Sequence, residues 1–397
     1  MHISVHARIL SFWCRVWNNY HCTAINGRII YLRHMVIRTI SAVSLFSIIA
    51  ATAAAQIQGG AGNVINGPLH DLIESRSVAL GESWAARART PSAWNSNPAS
   101  LAGSVGTGLE IAYRHADLST QFTQYGVGAW LSTPVGEFAL NYRRLDFDML
   151  ENTFDTSVAA QFTSDYEVIA LSYGTTIAGS IAVGATIKHY STFAALDRTP
   201  LYSPPASFYV DLGLMISRKG FFGDSTSAGI DSLHGGIAVQ NLGGNYDENR
   251  DFIPGPVGQF LRAGIAYDIG MFMSDGKPML RASATAEYRR LLNPVERRED
   301  EVDFAGAGIE LSWQGLSARL GTVIVPGSNF FAEPHKPALR YGFGAALPLR
   351  RIGIDVPVTL SADYSYLPSG TDYYPSSDPT LRKGGSIRVE YTESVFK

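Results

Sequence analysis

The sequence predicts an all-β fold, a transmembrane antiparallel up-and-down β-barrel of about fourteen strands with an N-terminal plug segment. Three observations predict it. From about Thr107 onwards, apolar residues alternate with polar or small ones, the period of a strand whose two faces meet different surroundings. Many of these runs reach ten residues or more, the length a tilted strand needs to cross a bilayer. The linkers between runs are short and long nearly in turn, as short turns on one rim and longer loops on the other require.

The alternation is clear in several runs. Leu261, Ala263, Ile265, Tyr267 and Ile269 share one face, and Arg262, Gly264, Ala266 and Asp268 the other. Leu280, Ala282, Ala284, Ala286 and Tyr288 oppose Arg281, Ser283, Thr285, Glu287 and Arg289. Leu339, Tyr341, Phe343, Ala345 and Leu347 oppose Arg340, Gly342 and Gly344. Runs of this kind fall near 107–116, 124–133, 137–147, 165–177, 181–193, 207–219, 232–244, 260–270, 279–292, 303–314, 316–326, 337–349, 354–367 and 384–396. An even number puts both chain ends on the periplasmic rim. The linkers 134–136, 178–180, 315 and 350–353 are short, whereas 148–164, 245–259, 293–302 and 368–383 are long and polar. Two predicted periplasmic linkers, 220–231 and 271–278, are longer than this rule wants, and the first outer loop, 117–123, is short.

Composition agrees. Charged residues make up 17% of the 397, below the roughly 25% of soluble domains. Glycine is abundant at 39, and Tyr and Phe stand at 19 each, suiting close-packed strands that meet lipid. The aromatics Tyr113, Trp130, Tyr142, Tyr173, Tyr267, Tyr288, Trp313, Tyr341, Tyr364 and Tyr391 fall in strands and suit interfacial girdles. A net charge of −3 gives no reason to expect nucleic acid as a partner. Both cysteines, Cys14 and Cys22, precede Met35, so later residues offer no disulfide, thiolate metal site or cysteine nucleophile.

The N-terminus reads as an export signal. From Met35 a short basic start at Arg38 leads into the apolar stretch Ile40 to Ala51, and Ala53 and Ala55 form an A-x-A site before Gln56. The expected organisation is an upstream extension over 1–34 that precedes the true start, a signal peptide over 35–55, a plug over 56–104 and a barrel over 105–397. The expected location is the bacterial outer membrane, with its lipid as a partner.

Residues 56–103 lack strand alternation and carry Pro68, Pro91 and Pro98. Pro98 disfavours helix at Asn97, and Asn97 can bond local backbone in a turn. A wide barrel has a lumen to fill, and this segment is the natural filler. Residues 75–102 carry Arg76, Ala79-Leu80-Gly81, Ala85-Ala86, Ser92-Ala93-Trp94, Asn97-Pro98-Ala99 and Leu101. In order and spacing this resembles the N-terminal signature of the PorV/PorQ group, which shares the fold of the FadL-type outer-membrane transporters. It departs at Arg89-Thr90-Pro91, where the group has an Asp, and at Ser100, where it has Gly. Asp211-Leu212-Gly213-Leu214 and Val239-Gln240-Asn241-Leu242-Gly243 resemble two further pieces of the group.

The resemblance implies a plug motif of Arg76, Gly81, Ser92, Ala93, Asn97, Pro98 and Ala99, structural or gating in role. It implies a non-enzymatic component of protein secretion of the type IX kind, with secretion-system subunits and exported cargo proteins as partners. The alternative it implies is a FadL-like transporter of hydrophobic small molecules, which needs a kinked strand and an apolar pocket.

No catalytic, cofactor or metal site is expected. Phe222-Gly223-Asp224-Ser225 resembles the first block of GDSL-type esterases, and Asp231 and His234 stand nearby. In that family the two blocks lie at opposite ends of the domain, and here they sit together beside a turn, where Gly, Asp and Ser are ordinary turn formers. His70, His115, His189, His234 and His335 form no metal-ligating spacing. The charge run 297–301 reads as a solvated loop, and a bulge is expected at Arg143-Arg144.

Overall fold

The computed structural model describes residues 74–87, 92–104, 106–117, 120–152, 159–178, 180–196, 199–202, 207–220, 229–242, 259–274, 277–292, 304–324, 338–367 and 382–393. The expected extension, the signal peptide, 56–73, the esterase-like block 222–225 and the charge run 297–301 lie outside them.

Fifteen strands form one sheet: β1 (Thr107–Asp117), β2 (Thr120–Thr133), β3 (Gly136–Asn152), β4 (Ala159–Ala178), β5 (Ile181–Leu196), β6 (Thr199–Tyr202), β7 (Ser207–Lys219), β8 (Gly229–Leu242), β9 (Phe260–Ser274), β10 (Lys277–Leu291), β11 (Phe304–Trp313), β12 (Leu316–Ile324), β13 (Ala338–Pro348), β14 (Val358–Leu367) and β15 (Arg382–Tyr391). Each long strand pairs antiparallel with the next long one, and β1 pairs with β15 from Thr107↔Tyr391 to Ala116↔Arg382. The sheet thus closes on itself. The four-residue β6 pairs only with β5, so fourteen strands make the barrel wall.

Alternation sets the two faces. On β1, Leu109, Ile111 and Tyr113 are exposed while Glu110, Ala112 and Arg114 are buried. The same split recurs on β4, β7, β11, β13 and β15, where Ile169, Leu171, Leu212, Leu214, Ile309, Leu311, Phe343 and Ile387 all lie on the exposed side. A closed wall that is apolar outside and polar inside is the surface hydrocarbon covers, because it leaves no backbone group without a partner.

The structure corrects four sequence-based expectations. The linker expected over 271–278 shrinks to 275–276, because β9 and β10 run on through Ser274↔Lys277 and Met273↔Pro278. Proline near a strand end breaks little of the ladder. The linker 220–228 stays long. No bulge occurs at Arg143-Arg144, since β3 keeps unbroken register with both β2 and β4. Arg143 is buried, whereas Arg144 lies on the other face in a cluster with Asp146, Asp165 and Glu167. The break in pattern is a charged outer face beyond the apolar belt. Trp130 is not an outer girdle residue. It is 3% exposed, packs 6.1 Å from Trp94, and lies against Gly108, where a Cβ would fall 2.1 Å from its ring. Tyr267 is buried too, its hydroxyl donating to Asp231.

Candidate functional site

Residues 74–87 and 92–104 meet the inward face of the wall on nearly every side, so these stretches lie inside the barrel. The first opens with α1 (Ser75–Ala79), a single turn ended by two consecutive left-handed residues, Gly81 (φ 68°) and Glu82 (φ 57°). Glu82 N–H donates back to Ser77 O at 2.9 Å, closing the turn. Gly81 is required twice over. Its φ is left-handed, and a Cβ there would fall 2.3 Å from Thr322 O.

The segment is fixed by charges from the wall. Arg76 makes a bidentate pair with Glu310, Nε to Oε2 at 2.8 Å and Nη2 to Oε1 at 2.7 Å. Arg319 shares that carboxylate and also reaches Asp363 at 2.6 Å. Arg87 pairs with Asp268 at 2.9 Å, and the Arg76 and Arg87 guanidiniums each lie 5.5 Å from the Trp84 ring. Glu82 accepts from Arg340 and lies 3.4 Å from Arg289. Burial opposes ionisation of Glu82, but Arg340, Arg289 and Arg114 hold its carboxyl well below the usual range. Glu287 accepts the backbone N–H groups of Trp84 and Ala85, both at 2.7 Å, and Thr285 donates to Ser83 O at 2.7 Å.

The second half follows the same logic. Ser92, in a left-handed conformation, donates to Glu110 at 2.7 Å. Ala93 packs with Leu80 and Trp84. Asn97 is the hub. Its Oδ1 accepts from Ala99 N–H at 3.0 Å and caps the 3-10 turn Pro98–Leu101, in which Pro98 takes the first position. Its Nδ2 donates to Ala85 O at 2.7 Å and to Leu214 O of β7 at 3.2 Å. The wall meets this backbone with glycine. A Cβ on Gly213 would fall 2.1 Å from Asn97 Oδ1, one on Gly184 2.4 Å from Pro98 C, and one on Gly236 2.0 Å from Ala85 O.

Beside Asn97 the wall itself is irregular. Val210 pairs with Leu242 but Leu212 pairs with Val239, so Gln240 and Asn241 both face Asp211. Asn241 has φ 60°, and its N–H donates to Asp211 at 2.8 Å. Lys188 of β5 reaches Asp211 at 2.6 Å and Asn241 Oδ1 at 2.9 Å, and Gln240 donates to Asn95 O at 2.8 Å. Next to this bulge, Leu145, Tyr166, Val168, Ala170, Tyr190 and Tyr209 form an apolar, aromatic cluster of buried residues on β3 to β7.

All seven motif residues thus lie in one buried assembly, and the Asp211 and Gln240-Asn241 pieces join it. Sequence reading missed Glu82, Arg87, Glu287 and Glu310. The signal was present, since each wall carboxylate stands on the polar parity of a barrel strand. Asp231 and His234 are not brought together. Three positions apart on β8, they take opposite faces, and His234 is bonded to Ser217 at 2.8 Å and Ser232 at 3.0 Å.

No family model and no curated protein matches the chain. Among solved structures it is similar to CdiB from Acinetobacter baumannii, at 10% identity and TM-score 0.42, over 72% of this chain and 60% of that one. It is similar to the Pseudomonas putida toluene transporter TodX, at 10% identity and TM-score 0.43, over 81% of this chain and 98% of that one. A Pseudomonas aeruginosa FadL homologue gives 12% identity and TM-score 0.44, over 82% and 99%. With every one of these TM-scores below 0.5, the reading of the site rests on this chain's own residues.

Proposed function

We propose that the chain is a bacterial outer-membrane transporter of hydrophobic small molecules, with residues 74–104 as its plug and gate. The observation that carries this reading is the break in the β7–β8 ladder at Asp211, Gln240 and Asn241. The wall's pairing is interrupted where the plug is tied to it by Gln240 and Asn97, and an aromatic cluster stands alongside. A kinked strand and an apolar lining are what sideways passage through a barrel wall requires. The closed wall and its apolar outer face support an outer-membrane location.

Cysteines at Ala99 and Ala182, which share one packed cluster, test the gate in a background without other cysteines. Cells carrying the oxidised pair should lose uptake of a labelled apolar compound and regain it on reduction. Equal uptake in both states would remove the gate. A second reading, reception of exported proteins, is favoured by the order and spacing of Arg76, Gly81, Ser92 and Asn97-Pro98-Ala99. It calls for surface and culture-medium proteomics on a strain lacking the gene. Accumulation of exported proteins in the periplasm supports secretion, and an unchanged secreted set removes it.

A further inference from the structure

On the outer side of the plug, β9 and β13 present Arg262 and Arg340 one inward position beyond Gly264 and Gly342, and β1, β3, β5 and β10 add Arg114, Arg143, Lys188 and Arg289 to the lumenal face, all six at most 6% exposed. Among the described residues, Asp211 pairs with Lys188, Glu287 with Arg262, and Glu82 with both Arg289 and Arg340. Arg262 and Arg289 are direct cross-strand partners, an arrangement of like charges that is destabilising unless something lies between them. Arg262 is fully buried. Its Nε lies 3.0 Å from Glu287, whose other oxygen is taken by the plug backbone, while Nη1 and Nη2 have no hydrogen-bond partner among the described residues. A buried guanidinium with two idle donor nitrogens is costly, and an anion at that fork would satisfy it.

We infer that the outer side of the plug holds an oxyanion-binding site, with the Arg262 guanidinium as its principal donor and Arg289 beside it. The ligand is a small molecule bearing a carboxylate or phosphate-type group. The site extends the transport reading to charged or amphipathic cargo, but its test is a binding measurement, so loss of uptake and loss of binding are read separately.

The purified full barrel in non-ionic detergent is titrated calorimetrically with inorganic phosphate and with benzoate. Binding of either, weakened about tenfold or more in Arg262→Gln and unchanged in Arg218→Gln on the exposed face, supports the site. Phosphate alone points to a phosphate-type ligand. Benzoate alone points to an organic carboxylate that also uses the tyrosine cluster. Arg262→Lys should retain part of the affinity. Should Arg262→Gln fail to fold, wild-type thermal unfolding decides, because the bound anion must raise the midpoint above that in chloride of equal ionic strength. No binding of either probe, or equal binding by Arg262→Gln, overturns the site.

Discussion

At the residue scale, Asn97 does the work of several side chains. It caps its own turn, holds Ala85 and bonds the β7 backbone, all at a position with no solvent exposure. Asn97→Ala should therefore cost about 1–3 kcal/mol for the buried partners it orphans, seen as a lower unfolding midpoint in detergent. Gly213→Ala should act from the other side of the same contact. Its Cβ has no room against Asn97, so the plug should become open to protease while the barrel stays folded. A plug cleaved no faster than in the wild type would refute that contact's importance. Glu74 gives a pH dependence. Burial, followed by the neighbouring Glu110 carboxylate, pushes it from 4.5 up to about 8. The folded state therefore holds its proton more tightly than the unfolded chain. This contribution is fully present below about 4.5 and is lost as pH rises through about 8. The unfolding midpoint should fall across that window, and Glu74→Gln should flatten the slope.

At the element scale, the β8 bulge is held by one buried ion pair. Asp211 braces both the Asn241 N–H and Lys188, and neither charge has other solvent to turn to. Lys188→Ala leaves Asp211 buried without its cation and should destabilise the protein by roughly 3–5 kcal/mol, measured by denaturant unfolding. A loss near zero would mean that water reaches Asp211. The plug elements show the same dependence on the wall. A five-residue helix is too short to hold by itself, and α1 stands because Arg76 and Glu82 are clamped at its two ends.

At the scale of the whole molecule, closure and filling are separable. The wall's hydrogen bonds run strand to strand around the ring without using the plug. Removing residues 74–104 should therefore leave a folded barrel with the heat-dependent gel mobility of such proteins, and should make cells permeable to large antibiotics. A deletion variant that folds and stays impermeable would show that the plug does not close the lumen.

The sequence by itself determined the barrel. Its period of two and its wall of fourteen strands follow from local alternation, and alternation is visible residue by residue. It also marked Asn97-Pro98-Ala99, because proline and asparagine act on their own backbone. It did not show that Glu287 and Glu310 would hold the plug, that Trp130 would turn inward, or that Gln240 and Asn241 would share one partner. Those outcomes depend on which inward positions come level once tilted strands are in register, and on how closely the plug backbone can approach the wall. Both are properties of the closed ring, so only the tertiary structure decided them.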